Sequence, residues 1–503
     1  MSALADSVDL LIVGGGINGA GIARDAAGRG LKVALVERSD LGGATSSASS
    51  KLIHGGLRYL ETYQFRLVAE ALAEREVLLR TAPHLVHSMQ FVMPHVPELR
   101  PAWMIRVGLL LYDYLARRQT LPRSRAIELD RSGLGAGLKP GPARGFVYSD
   151  CWVDDARLVV LTARDAADRG AAVLTRTLCT GARREGTAWR VTLRQSDGGE
   201  RELTARALVN VTGPWAKQFL ENVLGIATPF NLKLVQGSHV IVPRLYTGDH
   251  AYILQNDDRR VIFVYAYEDR HTLIGTTEVA ARGPAACAVS EEEIAYLVRA
   301  ANRYFEHPLT VRDVVWGYCG IRPLFDDGAA NPSAISRDYV LRVDAGAGAA
   351  PVLSVFGGKI TTYRRLAEQV MERLVPWLNP VRPSWTAASP LPGGDFSGNV
   401  DSLIEHLCRR YSKLSPSLLR SLARRHGTLT NRVLDGAQSP AQLGEHFGAN
   451  LYAREVEYFM RHEWARSVED VLWRRTKAGL HLSAAQQQAV ARFVAQGSNT
   501  AVR

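Results

Sequence analysis

The chain of 503 residues is too long for one simple hydrophobic core, so two or three domains are expected. Its hydrophobic fraction of 46% and charged fraction of 22% are those of an ordinary globular protein, and it has no apolar run of about 18 residues that could span a membrane. The net charge of +11 comes from arginines spread along the chain. That charge fits solvated surfaces, an anionic membrane surface or an acidic substrate. The compact basic run with interleaved aromatic residues that is typical of nucleic-acid binding is missing.

The cysteines and the start of the chain indicate a cytoplasmic protein. Cysteines 151, 179, 287, 319 and 408 are scattered, with no CxxC pair, so the sequence predicts reduced structural thiols and neither a zinc site nor a disulfide framework. Asp6 and Asp9 lead into the first apolar run without a basic leader or an apolar signal core.

The clearest local pattern lies at residues 9–37. An apolar run predicts a buried parallel strand, a helix follows to about residue 29, and a second apolar run ends at Glu37. Between strand and helix, Gly14, Gly16 and Gly19 match G-x-G-x-x-G in its proper βαβ frame. Such a turn brings a pyrophosphate to the helix N-terminus, while the acid at the end of the next strand accepts ribose hydroxyls. The motif predicts a dinucleotide site but does not separate FAD from NAD.

A loop rich in small hydroxyl residues follows the second strand. It spans residues 40–50 and suits close approach to an extended cofactor better than a flexible linker, because an apolar segment follows at once. Arg58 and Tyr59, just after Gly55-Gly56, place a guanidinium and a phenol at the start of a helix, where they can bind an anion.

Two helices are predicted next. Residues 65–82 form an amphipathic helix ended by Pro83. The helix after Pro101 carries Trp103, Val107, Leu110, Leu111 and Tyr114 on one face and further apolar residues on the other, so we favour a well-buried helix. The alternative is a membrane contact in which apolar residues enter the interface and the flanking arginines meet lipid phosphates.

The middle of the chain changes from parallel to antiparallel character. A helix at 155–169, a strand at 172–174, a hairpin and a buried strand ending at Gly213 belong to the first pattern. From residue 232 to 278 the strands alternate, which predicts an antiparallel substrate domain, and a helix follows at 290–305.

A second glycine turn closes the main body. The apolar strand 352–356 runs into Gly357-Gly358-Lys359, and Thr361 or Thr362 is predicted to cap the next helix. Residues 376–398 read as a linker, and a basic helical tail follows whose apolar stripe, from Val456 to Val471, is typical of a small bundle core.

Six stretches together resemble one enzyme family: IVGGGINGAGIARDAAGRG (12–30), ATSSASSKLIHGGLRYLE (44–61), YSDCWVDDAR, NVTGPWAKQF, CGIRPL and GGKITTYRRLA (357–367). They are similar to the FAD-dependent, respiratory (aerobic) glycerol-3-phosphate dehydrogenases, membrane-peripheral flavoproteins of the glycine-oxidase and D-amino-acid-oxidase group. The similarity extends from residue 9 to about 375 and more weakly into the tail.

The resemblance implies an α/β fold with a Rossmann-like FAD-binding domain of the glutathione-reductase-2/D-amino-acid-oxidase type, an antiparallel β substrate domain and a helical C-terminal domain. The expected boundaries are 1–80 with 145–230 and 335–378 for the discontinuous FAD-binding domain, 81–144 for a helical insertion, 231–334 for the substrate domain, 379–398 for a linker and 399–503 for the C-terminal domain.

The resemblance also implies the site residues. FAD would be held by Gly14, Gly15, Gly16, Asn18, Gly19, Glu37, Arg38, Thr45, Ser46, Ser47, Ser50, Leu52, His54, Gly213, Gly358, Lys359 and Thr361. Substrate phosphate would be bound by Arg58 and Arg322 with Tyr59, Lys359 and Thr361 in support, and Arg337 is a further candidate. The catalytic candidates are His54, His239, Arg322 and Lys359, and no metal is expected.

Chemistry narrows these roles only in part. The Lys359 ammonium and the helix N-terminus after Gly358 would stabilise negative charge that develops on a reduced flavin. Arginine is a poor base because its pKa exceeds about 12, whereas histidine titrates in a suitable range. We favour His239 for substrate contact and His54 for a flavin-side role, and the identity of the base stays open.

The family implies oxidation of sn-glycerol 3-phosphate to dihydroxyacetone phosphate, with electrons passed to membrane quinone. It implies a homodimer held peripherally on the anionic inner face of the cytoplasmic membrane, with no nucleic-acid partner. The alternatives are a soluble glycerophosphate oxidase that uses O₂, an amino-acid or amine oxidase of the same fold, and a non-redox nucleotide- or RNA-binding protein.

Overall fold

The structure is a computed structural model that describes residues 5–96, 98–141, 143–258, 260–285, 287–326, 338–346 and 348–500. Residues 498–500 are described by backbone alone. Its core consists of two large sheets with helices packed around them, and a helical C-terminal domain follows. The predicted α/β class with a helical C-terminal domain is confirmed, and the second sheet is antiparallel at all but one of its described strand pairs.

The first sheet has the order β17-β18-β10-β1-β2-β7. In addition, β9 pairs with β10, and β8 pairs with β9. Its strands are β1 (Ser7–Val13), β2 (Val33–Val36), β7 (Ala172–Leu174), β8 (Thr177–Glu185), β9 (Ala188–Gln195), β10 (Glu200–Asn210), β17 (Val340–Asp344) and β18 (Val352–Phe356). Strand β1 is parallel to both β2 and β10, and β10 is parallel to β18. The carboxyl ends of these strands therefore meet at one edge, where the predicted glycine turns follow β1 and β18.

The second sheet has the order β15-β11-β14-β13-β12-β4-β6-β3, with β16 paired to β11 and β5 to β6. Its strands are β3 (Leu52–Ile53), β4 (Val86–Pro94), β5 (Arg125–Glu128), β6 (Arg144–Val153), β11 (Asn231–Pro243), β12 (Ala251–Gln255), β13 (Val261–Tyr267), β14 (His271–Gly275), β15 (Val279–Ala280) and β16 (Trp316–Asp326). Residues 81–144 thus contribute two strands, and their description as a helical insertion is wrong. Strand β4 buries its last four residues in succession, so it lacks the alternation that marks a half-exposed strand.

Eight helices belong to the part of the main body that the structure describes, and the first is the predicted helix after the glycine turn. They are α1 (Ile17–Gly28), α2 (Phe65–Thr81), α3 (Ala102–Tyr114), α4 (Leu129–Ser132), α5 (Asp155–Asp168), α6 (Ala216–Gln218), α7 (Glu291–Asn302) and α8 (Tyr363–Leu378). Helix α1 packs against α5 and α8 on one face of the first sheet. The small residues of α1 are almost completely buried, and their size lets the helix lie close to β1.

Helix α3 is only half buried, so the favoured expectation of a well-buried helix is wrong. Ile105, Leu109 and Tyr112 face the core, whereas Trp103 is 69% and Tyr114 62% exposed. Val107, Leu110 and Leu111 lie exposed on the same outer face. Apolar residues occur on both sides of this helix, but only the inner side packs into a hydrophobic core, whereas Tyr114 on the outer side contacts the Arg123 guanidinium.

The C-terminal domain has its own core. Its elements are α9 (Val400–Arg410), α10 (Pro416–His426), α11 (Thr430–Leu434), α12 (Ala453–His462), α13 (Ala484–Thr500) and the hairpin of β19 (His446–Gly448) and β20 (Leu451–Tyr452). Val456, Phe459 and Val471 lie in its core as the stripe predicts, while Trp464 packs into the core of the main body instead. The preceding segment is packed as well, because the indole N–H of Trp385 donates to the Asp25 carbonyl and Leu391 is buried.

The structure joins Cys287 and Cys319 in a disulfide, with the Cα atoms 5.9 Å apart. The prediction of five reduced thiols is therefore wrong for this pair. Cys319 lies on β16 and Cys287 in the segment before α7, so the fold brings together two residues that are 32 positions apart in sequence. Nothing in a sequence without closely spaced cysteines indicates this pairing. Cys151, Cys179 and Cys408 are free thiols.

Candidate active site

A cavity of about 1310 Å³ lies between the carboxyl edge of the first sheet and the face of the second. The ends of β1, β10 and β18 contribute its glycine turns, and β11, β13 and β16 contribute the opposite wall. The edge of a sheet where parallel strands end is the usual place for a ligand in this type of fold.

The first glycine turn forms a cradle that larger side chains would fill. Gly14 has a φ of +120°, and a Cβ there would overlap the Val211 carbonyl, while a Cβ on Gly19 would overlap the Gly14 carbonyl. Helix α1 begins at Ile17, and its N-cap residue is Gly16, which has no side chain to bond the first N–H groups. The Ile17 N–H donates instead to the Ser46 hydroxyl at 3.0 Å. A narrow glycine cradle at a helix N-terminus fits the pyrophosphate of a dinucleotide.

Glu37 and Arg38 stand at the end of β2, beside this turn. The Glu37 carboxylate accepts the Gly15 N–H at 2.7 Å and both the N–H and the hydroxyl of Ser39 at 2.9 Å. The Arg38 guanidinium lies 3.9 Å from the centre of the Trp215 ring across the cavity. This end of the cavity therefore offers an acid and a stacked cation, which suits an adenosine group.

The hydroxyl-rich loop is held firmly along the cavity. The Thr45 hydroxyl donates to the Ile321 carbonyl at 2.7 Å. The Tyr265 hydroxyl donates to the Ser50 carbonyl at 2.7 Å, and the Tyr318 hydroxyl donates to the Ser49 carbonyl at 2.9 Å. The loop is thus a fixed wall that is tied to the second sheet, and not a flexible linker.

The second glycine turn meets the first. The Asn18 side-chain amide donates to the Gly357 carbonyl at 3.3 Å, and Gly358 has a φ of +103°. The Thr361 hydroxyl accepts the main-chain N–H of His54 at 3.3 Å. Thr361 and Thr362 lie in a short 3₁₀ turn before α8, and neither side chain caps that helix. The predicted capping of α8 by one of these threonines is therefore wrong.

Cations gather at the far end of the cavity. The Lys359 Nζ lies 3.7 Å from the centre of the Tyr59 ring. The Arg322 guanidinium, on β16, lies 3.5 Å from the Thr276 hydroxyl and 3.9 Å from the Glu278 carboxylate. Arg58 also lines this end, and its side chain is exposed. Arg337 falls outside the residues that the structure describes.

The two candidate histidines differ in access. His54 lines the cavity, and burial lowers its pKa to about 4, with Lys359 and Arg322 adding to the effect and Asp150 opposing it. His239 is fully buried and does not line the cavity. It lies behind Ser50, whose hydroxyl is 2.9 Å from its Nε2, and burial lowers its pKa well below the usual range.

Most of the predicted site residues share this one cavity. Its lining includes Gly14, Gly16, Asn18, Glu37, Arg38, Thr45, Ser46, Ser47, Ser50, Leu52, His54, Arg58, Tyr59, Gly213, Arg322, Gly358, Lys359 and Thr361. Gly15 and Gly19 shape the turn from behind, and neither they nor His239 reach the cavity surface.

Sequence reasoning missed part of the wall. Thr276 and Glu278 come from the end of the antiparallel region, and Trp473 and Arg474 come from the C-terminal domain. The Trp473 ring stacks on Trp316 with the ring centres 4.4 Å apart. The two C-terminal residues sit in a helical stretch that reads as bundle core, so the sequence gives no sign of their position.

Comparison with known proteins agrees with this geometry. Residues 9–364 match the family model described as FAD dependent oxidoreductase, and residues 384–498 match the C-terminal domain of alpha-glycerophosphate oxidase. The crystal structure of glycerol-3-phosphate dehydrogenase from Bacillus halodurans complexed with FAD is 26% identical, with a TM-score of 0.78 over 98% of this chain and 91% of that one.

Three curated relatives are similar over almost their whole length. Glycerol-3-phosphate dehydrogenase of Pseudomonas aeruginosa is 54% identical over 98% of this chain and 96% of its own. Aerobic glycerol-3-phosphate dehydrogenase of Escherichia coli is 51% identical over 98% of both chains. D-erythritol 1-phosphate dehydrogenase of Brucella abortus is 50% identical over 96% of this chain and 97% of its own. The chain therefore belongs to the FAD-dependent oxidoreductases and, within them, to the glycerol-3-phosphate dehydrogenase family.

Proposed function

We propose that the protein oxidises the C2 hydroxyl of sn-glycerol 3-phosphate, giving dihydroxyacetone phosphate, and that the electrons pass on to membrane quinone. One observation carries the proposal. The glycine cradles that fit FAD open into the same cavity as three cationic side chains and one neutral histidine, which are Arg58, Arg322, Lys359 and His54.

The cations provide a site for the phosphate. A phosphate dianion calls for guanidinium forks and an ammonium group in a partly enclosed place, and the cationic end of the cavity has this composition. Arg322 is oriented by Thr276 and Glu278, and Lys359 rests over the Tyr59 ring. We assign phosphate binding to Arg58, Arg322 and Lys359, with Tyr59 and Thr361 in support. Phosphate held there directs the C2 hydroxyl toward His54 and the flavin end of the cavity.

Oxidation of the alcohol removes a hydride from C2 and a proton from its hydroxyl. FAD supplies the acceptor for the hydride. We assign the proton to His54, because it is the neutral imidazole on the cavity wall, and we place His239 behind the Ser50 loop as a positioning residue. This assignment gives His54 the substrate contact that the sequence favoured for His239.

The low pKa of His54 is compatible with this role. Lys359 and Arg322 contribute to the depression of that pKa in the protein alone. A phosphate dianion placed between these two cations offsets their charge, so the pKa of His54 rises when the substrate binds. His54 then becomes a stronger base at the moment the hydroxyl must lose its proton.

The proposals of quinone as electron acceptor and of a peripheral membrane location are argued from the outer face of α3. Among the described residues no helix is long and apolar enough to cross a membrane. The exposed apolar residues of α3, next to the exposed arginines 117, 123 and 125, suit contact with an anionic bilayer surface, where a quinone is available. We therefore propose a peripheral protein on the cytoplasmic face of the membrane. The homodimer stays a prediction.

Initial rates with an artificial electron acceptor test the substrate. We expect sn-glycerol 3-phosphate to be oxidised far faster than glycerol, which lacks the phosphate, and faster than D-erythritol 1-phosphate. Arg322→Ala removes a charged hydrogen bond to phosphate, worth roughly 1.5–3 kcal/mol, and should raise KM about ten- to a hundred-fold. The reverse preference, for D-erythritol 1-phosphate, would overturn the substrate assignment.

The match to the C-terminal domain of alpha-glycerophosphate oxidase favours one rival, a soluble oxidase that reduces O₂. The two enzymes differ in how the reduced flavin is reoxidised. We expect rapid reoxidation by a quinone in vesicles and little peroxide in air. Fast peroxide production without reaction with quinone would establish the oxidase instead.

A further inference from the structure

The C-terminal domain reaches the loop that follows β2 through a cluster of buried charges. The Asp40 carboxylate is 2% exposed and accepts two N–H groups of Arg475, both at 2.8 Å. Arg474 Nε donates to the same carboxylate at 2.6 Å. Arg475 is itself fully buried. A carboxylate bound by two guanidinium groups out of water is strongly held in place, because removing either partner leaves an uncompensated buried charge.

Asp40 is directly connected to the glycine cradle. Two residues along the chain, the Gly42 N–H donates to the Gly15 carbonyl at 2.9 Å, and Leu41 between them is fully buried. Three residues back, Glu37 accepts the Gly15 N–H. The segment that contains Asp40 thus contacts both the N–H and the carbonyl of Gly15, in the turn that fits the pyrophosphate. The position of Asp40 therefore affects the position of this turn.

A second contact holds the same loop from the other side. The Asp470 carboxylate of the C-terminal domain lies 2.6 Å from the Arg176 guanidinium. The main-chain N–H of Arg176 donates to the Ser39 carbonyl at 2.8 Å. Burial disfavours the charged form of Asp470, but the Arg466 N–H and the guanidinium groups of Arg176 and Arg474 outweigh it and lower its pKa to about 2. Asp470 therefore stays ionised at neutral pH.

The C-terminal domain also forms part of the cavity surface. Trp473 and Arg474 line it, and Trp473 stacks on Trp316. Tyr318, two positions further on β16, donates to the Ser49 carbonyl of the hydroxyl-rich loop. The domain thus supports the cavity wall at both the turn after β2 and the Ser49 region.

We propose that the C-terminal domain is a structural part of the FAD site, with Asp40, Arg474 and Arg475 as positioning residues that hold the 38–44 loop against the first glycine turn. FAD binding and docking of this domain then strengthen each other. The inference rests on the FAD dependence of the family and on the contacts above, and not on the substrate or acceptor of the proposed reaction.

Release of FAD from the holoenzyme tests the proposal. The full-length holoenzyme is diluted, and the rise of flavin fluorescence gives the dissociation rate. Asp40→Asn and Arg475→Met should release FAD at least ten-fold faster than the unaltered protein. The matched control is Arg425→Met, which breaks the ion pair between half-buried Arg425 and buried Glu455 inside the C-terminal domain, away from the cavity, and should change the rate less than two-fold.

A second readout separates positioning from general loss of stability. FAD should slow proteolytic cleavage within residues 463–483 of the unaltered protein, and this protection should be lost in Asp40→Asn. If Arg475→Met fails to fold, Arg475→Lys keeps the charge without the two-pronged contact and should still release FAD several-fold faster. Unchanged FAD release in both Asp40→Asn and Arg475→Lys would overturn the proposal. So would equal acceleration in the Arg425→Met control. A protein that failed to oxidise glycerol 3-phosphate would leave both readouts measurable.

Discussion

At the scale of single residues, the site is defined by which side chains reach the cavity. Two histidines satisfy the chemical requirement for a base equally well in the sequence. The structure separates them because His54 lies on the wall and His239 is enclosed behind Ser50 and the Tyr318 ring. A local pattern predicts the type of a residue, but which of two similar residues is accessible depends on packing between distant strands.

The assignment of His54 predicts the kinetics of its variants. His54→Asn should lower kcat about 10²- to 10⁴-fold, which is the usual contribution of a general base, while FAD stays bound. KM should change little, because phosphate binding is assigned to the cations. Measurement of kcat and KM on the purified, FAD-loaded variant checks this. An equal loss in His239→Asn together with an active His54→Asn would move the role of base to His239.

At the scale of elements, the local sequence predicts the strand–turn–helix units but not which faces of the helices are buried. The glycine turns after β1 and β18 follow from fixed backbone requirements, so their place at the cavity can be read directly from the sequence. Helix α3 carries apolar residues on both sides, and burial of one side depends on neighbours that the local sequence does not specify. The strands within residues 81–144 cannot be predicted locally for the same reason, because pairing of β4 with β6 and β12 is non-local.

The outer face of α3 predicts a membrane-binding phenotype. Trp103→Ser combined with Leu110→Ser removes two exposed apolar side chains that would enter the bilayer surface, at about 1.5–3 kcal/mol each. We expect binding to anionic vesicles to weaken more than ten-fold in a sedimentation assay. Oxidation of glycerol 3-phosphate with a soluble acceptor should be unchanged.

The matched control is Val381→Ser, which alters an apolar residue on another segment that is more exposed than either Trp103 or Leu110. Its vesicle binding should equal that of the unaltered protein. Vesicle binding of the α3 double variant at the original strength would exclude this helix as the membrane contact.

At the scale of the whole molecule, buried neutral histidines make stability depend on pH. Burial lowers the pKa of His54 and His250 to about 4 and that of His84 to about 3. The unfolded chain binds protons below about pH 6.5 while the folded chain does not, so the free energy of unfolding falls as the pH drops from 6.5 toward 4. Each such histidine contributes a slope of about 1.4 kcal/mol per pH unit in that range.

His84 isolates one of these contributions. It is 4% exposed, and neither ring nitrogen has a hydrogen-bond partner among the described residues. His84→Leu should therefore reduce the pH slope between 6 and 5 by about one proton, as measured by urea unfolding at several pH values. A slope identical to that of the unaltered protein would contradict the neutral state of buried His84.

The whole molecule also shows where sequence reasoning ends. The first glycine-turn unit, the antiparallel strands of residues 232–278 and most of the cavity wall follow from patterns that are local in the chain. The contribution of Trp473 and Arg474 does not, because it depends on docking of a domain whose core is independent of the site. The disulfide between Cys287 and Cys319 likewise depends on a contact between β16 and a distant segment.

The central claim is that the C2 hydrogen of glycerol 3-phosphate is transferred as a hydride to the flavin in this cavity. Anaerobic rapid mixing of the holoenzyme with sn-glycerol 3-phosphate tests it most directly. We predict bleaching of the flavin absorbance with one equivalent of dihydroxyacetone phosphate per flavin. The bleaching should be slower when C2 carries deuterium, and about ten- to a hundred-fold slower in Arg322→Ala at a substrate concentration below KM. A flavin band that stays unbleached in the unaltered protein would contradict the claim.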